Sequence, residues 1–175
     1  MATRSQRGMT LVELLAVLAV AAVLLVVSAS YSMQWLAIET LRSGMQDVQA
    51  YVQLARTEAV ARNQQCRFVV DTSTGVLQVW DGVGTLFTND DVLVHEQRLP
   101  SGIVFARPDA GSLSTLQQIG TTAKYQTVFR SDGSVVSGTG DVFLYGGERF
   151  GSISVHAAGG TEMFYWNGSD WDHGG

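Results

Sequence analysis

Glu13 is the one carboxylate in an otherwise apolar run, MTLVELLAVLAVAAVLLVV at residues 9–27. An ionised side chain at the centre of such a segment costs about 2.5–3.5 kcal/mol to insert into a bilayer, so Glu13 calls for a compensating group. A cut between Gly8 and Met9 would supply one. It would leave a new α-amino group four residues from Glu13, with a pKa of roughly 8, cationic and able to pair with the carboxylate. The pair can close within one chain or between neighbouring copies. Between copies it would set an axial register, because one stagger alone satisfies a carboxylate surrounded by apolar side chains.

The rest of the chain offers little reactive chemistry. His95, His156 and His173 lie in unrelated segments without an H-x-x-x-H or acid–His spacing, which fits structural or surface histidines rather than metal ligands. No G-x-S-x-G, Walker loop or dinucleotide fingerprint is present, and the Gly-rich SGTGD (137–141) lacks the following helix that would hold a phosphate, so it reads as a turn. Cys66 is the sole cysteine, which excludes an intramolecular disulfide and Cys-rich metal sites; at the start of a β-rich run it reads as an inert buried thiol. Oxygen ligands cluster at Asn89-Asp90-Asp91 and again at Asn167-Gly168-Ser169-Asp170-Trp171-Asp172. Neither segment has the spacing of a calcium loop, so both read as solvated acidic turns. With no nucleophile–base pair to nominate, we expect no catalytic residue, no cofactor and no metal.

Charge points away from nucleic acid. Eleven basic residues face sixteen acidic ones, a formal charge of -5; loss of the first eight residues would remove Arg4 and Arg7 and leave nine against sixteen, near -7. Such a surface repels polyanions.

The element that must position Glu13 is a helix. Residues 9–27 would rise about 28 Å at about 1.5 Å per residue, nearly the thickness of a bilayer core. Arg4 and Arg7 precede the run, and the positive-inside rule then keeps the leader cytoplasmic and sends the C-terminal mass outward. Two plainer arrangements also fit a basic leader and an apolar run: a secretory signal cut near Val27-Ser28-Ala29, and an unprocessed single-span anchor. Neither accounts for a Gly-Met pair at this spacing from Glu13. Beyond Val27 apolar residues recur at Leu41, Met45, Val48, Val52, Ala55 and Ala59, one helical stripe, with Arg42, Gln46, Gln49, Gln53 and Arg56 on the other face. No proline interrupts residues 9–62, so one helix of about fifty residues is expected. Gly44 and the β-branched Val23, Val26 and Val27 are its weak points. Packing on a sheet suits the short, Ala-ended stripe better than a coiled coil.

After Asn63 the period changes. CRFVVD (66–71), a TSTG turn and VLQVW (76–80) form a hairpin, and further strands are expected at 92–99, 102–106, 126–130, 141–145, 152–156 and 162–166. Turns fall at Asp81-Gly82, Ser131-Asp132-Gly133, Gly146-Gly147, Gly159-Gly160 and Asn167-Gly168. Residues 109–122, small and polar, read as an exposed loop. One core shared by helix and antiparallel sheets follows, an α+β fold.

The string RGMTLVELL, with its short basic leader and long apolar sequel, resembles the class III signal of type IV prepilins. LARTEAVARNQQCRFVV (54–70) is similar to the helix end and first strand of GspH/FimT-type subunits, and FRSDGSVVSGTGDVFL (129–144) to their F-x-x-D-G segment. The resemblance implies a type IV pilin-like fold: leader 1–8, hydrophobic transmembrane and assembly helix 9–28, and head 29–175, whose helix ends near 62. It also implies cleavage after Gly8 by a prepilin peptidase, N-methylation of Met9, and Glu13 as the acid that guides assembly. The partners it implies are other minor and major pilins or pseudopilins and the bacterial inner membrane, with the head in the periplasm before the subunit enters a filament. That filament is a type II secretion pseudopilus or a type IV pilus. The competing function is DNA capture by a FimT-like minor pilin through a Gly-Arg-x-Arg motif. This chain has Gly147-Glu148-Arg149 instead, an acid where the first arginine should be, so DNA is not an expected partner.

Overall fold

The computed structural model describes residues 11–82, 91–109 and 111–173; within the helix, side chains 26–34 and 37 are not described. Gly8, Met9, Asn89 and Asp90 lie outside the described residues. Contacts divide the chain into two units, Met1–Leu36 and Ala37–Gly175.

One helix, α1 (Leu11–Arg62), contributes to both units and runs without a break through Val23 and Gly44. Its end has a local cause. Asn63 takes the left-handed conformation at φ 52°, and the amides of Asn63 and Gln64 return to the carbonyls of Val60 and Ala59. This pair of bonds closes the helix as a Schellman cap, in which asparagine is a tolerated substitute for glycine.

In the second unit the expected stripe is the core. Leu41, Met45, Val48, Val52, Ala55 and Ala59 are all 0–1% exposed. Gly44 is no weak point: a β-carbon there would lie 3.2 Å from Ile103 Cγ1, so its bareness lets Ile103 pack against the helix. Of the polar face, Arg42 and Gln46 are exposed, while Gln49, Gln53 and Arg56 reach the sheets. Gln49 Nε2 donates to Thr161 Oγ1 at 3.0 Å, Gln53 Nε2 to the Gly159 carbonyl at 3.3 Å, and Arg56 Nε to the Gly133 carbonyl at 3.0 Å.

Two antiparallel sheets complete the head. The first contains β1 (Cys66–Asp71), β2 (Val76–Asp81), β3 (Val92–Arg98), β4 (Gln117–Gln118), β5 (Lys124–Phe129) and β6 (Val135–Ser137), in the order β3-β2-β1-β5-β4 with β6 also on β5. The second contains β7 (Gly140–Gly146), β8 (Arg149–Val155), β9 (Thr161–Trp166) and β10 (Trp171–His173), in the order β10-β9-β8-β7. Central β1 is buried on both faces, with Cys66, Phe68 and Val70 in the core and Arg67 and Val69 buried on the other side. At the β1–β2 turn Asp71 Oδ1 accepts from the Ser73 amide at 3.0 Å and the Ser73 hydroxyl at 2.6 Å, and Gly75 takes φ 73° to complete the reversal.

Three further expectations need correction. Residues 102–106 form no strand: Val104 makes a lone bridge to Tyr145, while Ile103 and Phe105 turn inward to the core. Pro100 and Pro108 bracket the segment, and prolines withhold the amides a longer ladder would need. Residues 109–122 are not a uniformly exposed loop, because Ser114, Leu116 and Ile119 are buried and β4 pairs with β5. Asp91 belongs to no solvated acidic turn. Its carboxylate and the Arg67 guanidinium, each side chain 1% exposed, form an ion pair at 3.4 Å.

Candidate assembly site

In the first unit Glu13 lies in the first turn of α1. Ala16, Val17, Val20, Ala21 and Leu24 follow it on the same face, at the 3, 4, 7, 8 and 11 spacing that lines up side chains along a helix. The other faces are apolar too. Leu11, Val12, Leu15, Leu18 and Leu25 are all more than half exposed. A helix that is hydrophobic all round is one that lipid or neighbouring helices cover. Burying each large side chain would contribute about 1.5–3 kcal/mol, so this segment carries a large unspent driving force for association. Among the described residues no helix is long and apolar enough to cross a membrane.

The remaining candidates sort by contact. His95 stands 3.9 Å from Glu58, His156 stands 3.4 Å from Glu162, and His173 rests against the Phe164 ring at 4.4 Å. The three are dispersed, and no group of three potential metal ligands occurs among the described residues. The tail oxygens are occupied by their own turn: Asn167 Oδ1 accepts from the amides of Ser169 and Asp170, and Asp172 accepts from Asn167 Nδ2. SGTGD is a turn, with Gly138 and Gly140 at positive φ. Cys66 is buried and reduced, and burial pushes its thiol pKa up to about 11. Glu148 sits at φ 63°, at the tip of the β7–β8 turn beside Arg149.

Sequence reasoning missed strand β10 and the aromatic face that it completes. Trp166 and Trp171 pair across β9 and β10, with ring centroids 5.3 Å apart. The tail's acidic residues masked a strand of three residues; the legible signal was Trp-Asp-His, an alternation of ring, acid and ring after an Asn-Gly turn.

The geometry agrees with relatives. Residues 45–159 match the family model for the type II transport protein GspH, and residues 3–29 match the prokaryotic N-terminal methylation motif. No curated protein matches the chain in sequence. Among solved structures, the type IV minor pilin FimU of Pseudomonas aeruginosa superposes with a TM-score of 0.52 at 14% identity, over 75% of this chain and 92% of that one. The minor pseudopilin EpsH of the Vibrio cholerae type 2 secretion system gives 0.47 at 14% identity, over 71% and 95%. The helix packed on antiparallel sheets is thus a minor-pilin fold, and on the family match the chain belongs to the GspH family of type II transport proteins.

Proposed function

We propose that this chain is cut between Gly8 and Met9 by a prepilin peptidase, methylated on Met9, and built through Glu13 into a type II secretion pseudopilus or a type IV pilus. Its family, its fold and its methylation motif make it a minor pilin or pseudopilin. The observation that carries the finer reading is the placement of Glu13 at the head of a helix apolar on every side. In the precursor that helix anchors in the inner membrane with the head in the periplasm, residues 9–28 serving as anchor and 29–175 as head. After processing, the new amine neutralises Glu13 and the same apolar surface packs against other pilins or pseudopilins. The subunit works by binding and assembly rather than turnover.

Mass spectrometry of the mature N-terminus tests this. A chain beginning at N-methylated Met9 supports the reading; a start at Ser30 would mean ordinary secretion and overturn it. The DNA-capture alternative finds no support at Glu148, whose carboxylate occupies the turn where a basic side chain would be needed.

A further inference from the structure

The outward face of the second sheet carries a trough. Strand alternation puts Val142, Leu144, Ile153 and Val155 into the core, and therefore sends Asp141, Phe143, Ser152 and Ser154 to the opposite face. Phe164 joins that row, opposite Ser152. Two of its members are small: Ser152 and Ser154 form the floor, while the bulky side chains of β7 and β9 stand about 9.5 Å apart on either side. One wall is Phe143, capped by the Arg107 guanidinium 4.3 Å above its ring. The other is Phe164 and Trp171. The Trp171 and Phe143 rings touch, with centroids 5.5 Å apart, although they belong to the outermost strands of the sheet, so this pair closes part of the trough. The open cavity that these side chains line is about 300 Å³.

The polar atoms decide what fits. Ser152 is 3% exposed, and Ser154 lines the trough beside it. Covering them with a purely apolar side chain would cut two hydroxyls off from water, at about 1–3 kcal/mol each. The occupant must therefore carry its own donors and acceptors. An anion is disfavoured because Asp141 lines the trough and the Arg107 guanidinium already donates from Nη2 to Asp109 at 3.0 Å. What remains is a neutral ligand with a flat C–H face for the rings and an edge of hydroxyls for Ser152, Ser154 and Asp141. We infer that this trough is a binding site for a neutral pyranose sugar, so that the head contacts saccharide while the helix serves the filament.

The test uses the full-length chain in lauryldimethylamine oxide, a detergent without a sugar head group, titrated with maltotriose and chitotriose. Saturable quenching of tryptophan fluorescence, with saturation transfer to the sugar protons in NMR, is expected at millimolar affinity. Trp171→Ala should weaken it about tenfold by removing one stacking wall, and Asp141→Asn, which leaves the aromatic packing intact, should weaken it as well. Circular dichroism of each variant separates lost binding from lost fold. No saturable signal with either sugar would overturn the proposal, as would binding that both variants leave unchanged. Quenching by N-acetylphenylalaninamide but by neither sugar would also overturn it, and would identify the trough as a socket for a protein side chain.

Discussion

Gly151 of β8 faces the Met45 side chain of α1 so closely that a β-carbon on Gly151 would collide with the methionine sulfur. Met45 is fully buried and cannot swing out to solvent. Helix and second sheet meet here at the closest approach glycine allows. Gly151→Ala should therefore cost about 1–3 kcal/mol by overpacking. Met45→Ala alone should cost about 2–5 kcal/mol by leaving a cavity. The double variant should lose less than the sum, because the new methyl group fills part of that cavity. Urea unfolding of a soluble head fragment beginning at Ser28 measures all three, and strict additivity would refute the contact.

Arg56 is the polar counterpart of that packing. Its Nε donates to the Gly133 carbonyl in the β5–β6 turn, and a β-carbon on Gly159, in the β8–β9 turn, would lie 3.0 Å from the same nitrogen. One side chain thus lies against a turn from each sheet. Arg56→Met keeps the aliphatic stem and removes the donor, and should cost about 1–2 kcal/mol in the same unfolding measurement. Hydrogen exchange of the two turns should accelerate together; exchange in one alone would show that the latch does not span both.

Cys66 predicts a pH dependence at the alkaline end. Burial raises its pKa to about 11 from an ordinary value of 9.0. Between these values the unfolded chain has lost the thiol proton while the folded chain keeps it, so the folded state binds more protons. Stability then falls as pH rises through this window, with a slope of up to about 1.4 kcal/mol per unit. Cys66→Ala should flatten that slope. A thiol reagent at pH 8 should leave the folded head unmodified and label it fully in urea.

Legibility followed the length of the pattern. The stripe from Leu41 to Ala59 repeats through several helical turns, so periodicity alone placed all six residues in the core. Runs such as CRFVVD and DVFLY were long enough to read as strands. Val135–Ser137 and Trp171–His173 were not, since three residues carry hardly one alternation. The segment around Ile103 misled because alternating apolar residues can point into a core without a neighbouring strand to pair with. Asp91 misled for a different reason: its partner Arg67 is remote in sequence, and nothing local distinguishes a solvated acid from a buried one. Of the candidate assembly site, the placement of Glu13 in the first turn of α1 and of the apolar residues that share its face was legible, because spacing on one helix gives both.

The docking role proposed for Glu13 yields the sharpest functional prediction. If its carboxylate only tolerated the membrane, removing it would ease insertion and leave assembly intact. If it pairs with the amine of a neighbouring subunit, Glu13→Ala deletes the one polar contact that distinguishes a correct stagger from the many that apolar side chains accept equally. Glu13→Gln keeps the size and some hydrogen-bonding capacity but not the charge, and should fall in between. Cleavage after Gly8 should proceed in all three proteins, since the cut bond lies five residues upstream. Immunoblots of sheared filaments against membrane fractions read the outcome: wild type in both, the glutamine variant reduced in filaments, the alanine variant confined to membranes. Equal recovery of all three in filaments would leave register to the apolar face alone.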